Sequence, residues 1–394
     1  MISISKLIEK VEKINPNNKE GSWKYIDIAS VDRFQKKIVL DSVSLITTGS
    51  APSRARQLVF ADDIIISTVR PNLNTVAIVP KELDGAIAST GFCVLRPNKE
   101  MVDTKYLFHY IKSDDFVNKL VKLATGANYP AVSDKIIKEQ QLKKISLCEQ
   151  KNIAAILDKA EGIGQKREQA IKLADNFLRA TFFEMFGDPV KNPKRWKTDK
   201  IKKGILAITS GWSATGENTT CKSDEFGVLK ISSVTSGVFK PEENKVVACE
   251  SIPAAKKLIH PKKGDLLFSR ANTRELVAAI CMVHQDYDNL FLPDKLWSIK
   301  LNHELLLPEF FLILIQNEKV RELLTKQATG TSGSMLNISK NKFEETEIIF
   351  PEINVQKDFC NAFRKTIKLK QKLIKSNELA NKSFNSLSQK VFLQ

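Results

Sequence analysis

The sequence predicts an α+β protein: two similar globular domains separated by two long, antiparallel, coiled-coil-like helices, the halves related by a pseudo-two-fold. Three observations predict it. Segments recur at a spacing of roughly 200 residues, each recurrence mixes β-branched runs with short helical patterns, and each closes on a long proline-free stretch.

The repeat is read from four matches in the same order. Asp63-Ile64-Ile65-Ile66-Ser67 returns as Asp265-Leu266-Leu267-Phe268-Ser269, and Ile26-Asp27-Ile28-Ala29-Ser30-Val31 as Leu229-Lys230-Ile231-Ser232-Ser233-Val234. Ala124-Thr125-Gly126 returns as Ala328-Thr329-Gly330, and Gln150-Lys151 as Gln356-Lys357. The offsets are 202, 203, 204 and 206 residues, too long for a solenoid and right for duplication of a domain plus a helix.

The first domain spans residues 1–148. It contains strand-like runs such as Lys36–Leu40 and Thr75–Val79, turn signals, and a helical stretch from Thr104 to Leu123. Residues 149–187 form the first spacer helix, with a stripe at Ile156, Ala160, Ile163, Arg167, Ala170, Ala174, Phe177 and Thr181; Gly187 and Pro189 stop it. The second domain, residues 188–353, repeats the first, with its helical stretch at Pro308 to Lys326. The second spacer helix, residues 354–394, has neither glycine nor proline between Asn354 and Phe392. Its stripe is Phe359, Phe363, Thr366, Lys370, Leu373, Asn377, Ala380, Phe384, Leu387 and Val391. Each spacer is about 57 Å long at ~1.5 Å per residue. A lone helix of that length would expose its stripe, so the two are expected to bury their stripes against each other, antiparallel.

The chain of 394 residues carries 61 Lys and Arg against 45 Asp and Glu, a formal net charge of +16. Such an excess points to a polyanionic partner, nucleic acid or an acidic membrane surface. The six cysteines are dispersed without metal or redox spacing, no run is long and apolar enough to span a membrane, and no signal peptide opens the chain. A cytoplasmic protein is expected, with no membrane partner.

Two domains related by a two-fold suit a DNA duplex, whose half-sites lie about 34–36 Å apart. Arg, Lys, Asn, Gln, Ser and Thr on loops carried by a sheet are the residue types that read base edges. After the first repeated strand come Ser67, Thr68, Arg70 and Asn72; after its counterpart come Arg270, Asn272 and Arg274. Behind the Ala-Thr-Gly repeat lie Asn128 and Tyr129 in one domain and Thr331 and Ser332 in the other. The third pair of loops contributes Arg54 and Ser213. The framework repeats while these residues change, as two different half-sites require.

Catalytic signatures are missing. There is no phosphate-binding Gly-rich loop ending in Lys-Ser/Thr, no methyl-donor turn, and Asn128-Tyr129-Pro130-Ala131 is not an adenine-handling Asn-Pro-Pro-aromatic motif. The four histidines are dispersed, and His109 reads as structural. Asp62 and Asp63 are the one carboxylate pair that an alternative reading, a stand-alone metal-dependent DNA nuclease, would use; as a turn leading into a strand they need no metal. No catalytic, cofactor-binding or metal residue is assigned to this chain.

The layout resembles the specificity (S) subunits of Type I restriction–modification systems. The resemblance rests on Gln150-Lys151-Asn152-Ile153-Ala154-Ala155-Ile156-Leu157-Asp158, on Phe182-Phe183-Glu184-Met185-Phe186-Gly187-Asp188-Pro189, and on the following Asn192-Pro193 and Trp196. The first domain departs from the pattern at its start, with no counterpart of Trp196. The resemblance implies two target-recognition domains binding a bipartite double-stranded DNA site. It also implies docking of two methyltransferase subunits on the spacer helices and association with restriction subunits. S-adenosylmethionine, ATP and Mg would then belong to those partners, with adenine-N6 methylation and cleavage carried out there.

Overall fold

The computed structural model describes residues 1–330 and 335–393. The chain separates into two compact units: Met1–Gln169 with Leu373–Gln394, and Ala170–Lys372. The divisions fall inside the long helices, because each unit gathers one globular domain with one part of both helices.

In the first unit, β1 (Ile8–Glu9), β2 (Ile64–Ser67), β3 (Val76–Ile78) and β4 (Phe92–Pro97) form an antiparallel sheet in the order β1-β4-β2-β3. A second sheet runs Ser44–Thr47, Ser22–Ile26, Ala86–Ser89, Ala55–Val59, its middle pair parallel. The second unit reproduces the plan. β5 (Ile205–Ser210), β6 (Leu266–Ser269), β7 (Ile280–Met282) and β8 (Leu296–Leu301) pair antiparallel in the order β5-β8-β6-β7. Its other sheet runs Asn244–Val247, Phe226–Leu229, Leu290–Phe291, and again holds one parallel pair. The repeated runs Ile64–Ser67 and Leu266–Ser269 are fully buried central strands, which explains why their first three residues are all apolar rather than alternating.

Each helical stretch predicted as continuous is two helices. In the first unit these are α1 (Thr104–Lys112) and α2 (Asp114–Leu123), and the long helix α3 (Leu147–Phe186) follows. In the second they are α4 (Pro308–Gln316) and α5 (Glu318–Lys326), followed by α6 (Ile353–Leu393). The break falls at Ser113 and at Asn317, both extended, each side chain accepting from a backbone N–H of the helix it starts. A capping side chain in place of a helical residue stops one helix and begins the next.

The long helices pair within each unit. In the second unit Lys370 Nζ sits 2.6 Å from Asp175 Oδ1, and Phe182 packs edge-on to Phe359 at 5.6 Å. Partners on α6 fall in number as those on α3 rise, so the helices run antiparallel, as expected. In the first unit Arg167 Nη1 donates to the Ser376 carbonyl at 3.2 Å, and Phe392 packs on Tyr106 and Tyr110. The predicted α6 stripe faces inward except at Leu387, which is exposed. The α3 stripe is partly wrong. Ile156, Ile163 and Phe177 face outward, and the buried apolar positions are Ala154, Leu157, Ala174, Leu178, Phe182 and Phe186. The physical reason is that α3 must satisfy a globular domain as well as α6, and both contacts together rotate the buried face by about one residue.

A repeated glutamine ties each long helix to its domain. Gln150 Oε1 accepts from Asp103 N at 2.9 Å, while Nε2 donates to the carbonyls of Met101 and Ile145. Gln356 does the same with Leu307 N at 2.9 Å and the carbonyls of Leu305 and Pro351. These are backbone groups left without a helix or ladder partner, and one carboxamide that is itself buried satisfies three of them. Among the described residues, no helix is long and apolar enough to cross a membrane.

Candidate nucleic-acid interface

The candidate residues are brought together at the ends of the central strands β2 and β6. In the first unit the chain leaves β2 through Thr68, whose N–H and hydroxyl both donate to the Gly91 carbonyl, at 2.9 and 3.0 Å. Val132 N donates to the Thr68 carbonyl at 2.9 Å, and Arg70 N to the Pro130 carbonyl at 2.7 Å. Bridges from Val69 and from Thr125 to Ala131 complete the junction. The segment behind Ala-Thr-Gly is thereby stitched to the loop behind β2. The repeated glycine makes the stitch: a Cβ on Gly126 would stand 2.8 Å from the Tyr129 carbonyl oxygen, and one on Gly330 2.8 Å from that of Met335.

Arg70 lies in the left-handed region at φ 52°, and its guanidinium stacks 4.9 Å over the Tyr129 ring. Tyr129 is 70% exposed, so the pair presents a cation on an aromatic face to solvent. Asn72 and Asn128 are exposed nearby in the chain, on the Pro71–Leu73 turn and beside Tyr129. The Arg54 carbonyl accepts from Thr90 N at 2.8 Å, which sets the third loop against the same Thr90-Gly91 turn that holds Thr68. Ser67 is different: it is buried, and its hydroxyl donates to the Val69 carbonyl, so it shapes the turn and presents nothing.

The second unit uses the same backbone with other side chains. Arg270 N donates to the Lys295 carbonyl, Ile338 N to the Arg270 carbonyl, and Ala271-Asn272 pair with Leu336-Asn337. The Arg270 side chain is fixed twice, Nε donating to the Asp294 carbonyl at 3.1 Å and Nη1 to Asn337 Oδ1 at 3.2 Å. Ser213 donates to Asp294 Oδ1, and Ser210 Oγ to the Asp294 carbonyl at 2.9 Å. Trp212, beside Ser213, stacks on Phe291 with Lys256 over its ring. Asn272 Oδ1 accepts from Thr273 N, and Arg274 is exposed on the same loop. Thr331 and Ser332 lie outside the described residues.

Sequence reading missed Asp294, Lys295 and Asn337 in this unit and Thr90 in the other. The signal was available: Pro293-Asp294-Lys295 is a polar turn between apolar runs, 204 residues after the Ser89-Thr90-Gly91 turn.

The carboxylates of the alternative reading are occupied. Asp63 is 2% exposed, with Arg96 Nε 3.0 Å from Oδ1 and Nη2 2.8 Å from Oδ2, and it accepts from Phe60 N as well. The hydrogen bonds to Asp63, and then its charge, push the Arg96 guanidinium above its ordinary range. Asp62, at φ 73°, pairs with Lys99 at 2.8 Å. Both therefore brace a turn. A second acidic group, His109 with Asp158 and Glu161, has ligand atoms within 4.8 Å of one another. Lys105 neutralises Asp158 and Lys112 neutralises Glu161, both at 2.6 Å. His109, nearly fully buried, bonds Asp158 at 2.8 Å, and burial holds its imidazole below the ordinary range.

Residues 5–173 match the family described as the Type I restriction modification DNA specificity domain. The chain is 25% identical over 169 residues to the Type I restriction enzyme EcoEI specificity subunit of Escherichia coli, a match spanning 43% of this chain and 28% of that relative. It is 23% identical over 368 residues to the EcoKI specificity subunit of Escherichia coli strain K12, covering 89% of this chain and 77% of the relative. Among solved structures, it resembles a chain from work on complex assembly and conformational transition of the type I R-M system. There the TM-score is 0.63 and the identity 21%, with 99% and 96% of the two chains covered. It also resembles the Type-I restriction-modification S subunit from M. genitalium, at TM-score 0.58, 13% identity, and 99% and 95% coverage. These two likenesses show the fold. Residues 5–173 thus match the Type I restriction modification DNA specificity domain, and the chain as a whole is similar in sequence and fold to Type I restriction–modification specificity subunits.

Proposed function

We propose that this chain is the DNA-sequence-recognition subunit of a Type I restriction–modification complex, binding a bipartite site in double-stranded DNA. The target-recognition domains are residues 1–148 and 188–353, and the spacers are 149–187 and 354–394. The observation that carries this reading is the repeated junction at Thr68 and Arg270. The same backbone bonds hold two loops at a strand end in each unit, while the side chains displayed there differ. A constant frame with variable donors and acceptors is what reading two half-sites requires. Phosphate contacts from the excess of lysine supply sequence-independent affinity.

The chemistry belongs to partners: two methyltransferase subunits using S-adenosylmethionine for adenine-N6 methylation, and restriction subunits using ATP and Mg. Exposed apolar residues of the long helices offer docking surface in each unit: Ile156, Ile163, Ile374 and Leu379 in the first, and Leu173, Phe177, Phe183 and Leu369 in the second. Methylated motifs are mapped in cells carrying the methyltransferase with and without this chain. A split motif appears only with the chain, and exchanging residues 1–148 for another reader alters one half of it. Alteration of both halves, or of neither, overturns the reading.

A further inference from the structure

Asp294 is an anomaly in a face meant for a polyanion. The chain carries a net charge of +16, and a carboxylate beside Arg270 weakens binding to any phosphate backbone unless it finds a donor of its own. Its backbone is fully employed, the carbonyl holding Arg270 Nε and Ser210 Oγ and the N–H donating to Ser213 Oγ at 3.3 Å. Among the described residues, the Ser213 hydroxyl on Oδ1 is the one hydrogen bond to its carboxylate, and no salt bridge reaches it. The residue is half-buried, so that carboxylate is held on a stiff turn.

Arg270 is the complementary half. With Nε on the Asp294 carbonyl and Nη1 on Asn337, its guanidinium plane is set and three of its five N–H groups remain to donate elsewhere. A fixed guanidinium next to a fixed carboxylate matches one base pair. Arginine donates to guanine O6 and N7, and a carboxylate accepts from the N4 amino group of the paired cytosine. We propose that Asp294 and Arg270 together read a G·C pair in the half-site bound by the second unit, with Asp294 as the cytosine-reading residue. The equivalent turn in the first unit carries Thr90, so this device is confined to one half-site.

The inference rests on the DNA-recognition function, and the experiment separates the two. Motifs methylated by the complete methyltransferase complex are mapped for the wild-type chain, Asp294→Ala and Asp294→Asn, and binding is measured on duplexes altered one base pair at a time. Exchange of residues 1–148 assigns the halves. Asp294→Asn can still accept the Ser213 hydroxyl, and thermal unfolding checks that each variant is folded. Should Asp294→Ala fail to fold, Asp294→Asn decides. The expected result is an obligatory G·C pair in the half-site of the second domain, with discrimination there falling about tenfold or more in the variants and the other half unchanged. An unchanged motif in a folded variant, or relaxation at an A·T pair or in the other half, overturns the assignment to Asp294. Absence of any sequence preference in the wild-type complex overturns the recognition function itself, and the inference with it.

Discussion

Lys105 Nζ lies 2.6 Å from Asp158 Oδ2, joining α1 to α3, and the equivalent positions of the second unit hold the same bridge with its charges exchanged: Glu309 Oε1 lies 2.6 Å from Arg364 Nε, joining α4 to α6. A duplicated junction has thus diverged in polarity while keeping its geometry. Each domain carries the charge that fits its own helix, and either domain set on the other's helix would meet a like charge.

This gives the first prediction. Glu309 is almost fully buried while the Arg364 side chain is 61% exposed, so Glu309→Lys leaves a buried ammonium unpaired beside a partly screened cation and destabilises the second unit by about 1–2 kcal/mol. The double variant Glu309→Lys with Arg364→Asp restores the polarity used in the first unit and recovers most of the loss. Thermal unfolding of the four members of this cycle measures it. A double variant no better than the single one refutes the pairing.

Gln356 is completely buried, and its carboxamide satisfies Leu307 N and the carbonyls of Leu305 and Pro351. Gln356→Leu is close in volume but strands three backbone groups, at a cost of about 3 kcal/mol. Hydrogen exchange is expected to show earlier opening around Leu305–Leu307 and the start of α6. Unchanged protection there counts against the role assigned to this residue.

His109 links stability to pH. Burial, with Lys112 nearby, holds its folded pKa below the ordinary 6.5, although the Asp158 bond opposes the shift. The unfolded chain therefore binds more protons as pH falls through 6.5, so stability contributed by neutral His109 is present above that value and is lost below it. Melting temperature followed from pH 7.5 to 5.5 should fall, and the fall should flatten in His109→Gln. Parallel curves for the two proteins would show that other groups carry the dependence.

The Arg70–Tyr129 stack predicts a division of labour in the first half-site. Arg70→Ala relaxes specificity at one base pair by about 1–3 kcal/mol. Tyr129→Leu removes the aromatic face that orients the guanidinium, and costs less, about 1 kcal/mol. Competition binding with single-base variants of the site separates these effects from a uniform loss of affinity, which would instead mark Arg70 as a phosphate contact.

Much of this architecture was legible along the chain because duplication writes the same physical needs twice. The apolar strands at 64–67 and 266–269, the glycines at 126 and 330 and the glutamines at 150 and 356 return because each answers a local demand. These are a strand buried on both faces, a close backbone approach, and orphan backbone groups at a helix start. The breaks at Ser113 and Asn317 were missed because a polar residue inside a periodic pattern reads equally well as a solvated position or as a cap.

By itself the sequence determined the duplicated plan, the two long helices and which loops carry base-reading residue types, since these depend on periodicity and chemistry along the chain. Only the tertiary structure decided which face of α3 is buried, that Ser67 points inward, and that Asp294 and Asn337 join Arg270. Those outcomes depend on which distant segments share a surface. Long-range packing sets side-chain orientation there, and no local pattern encodes it.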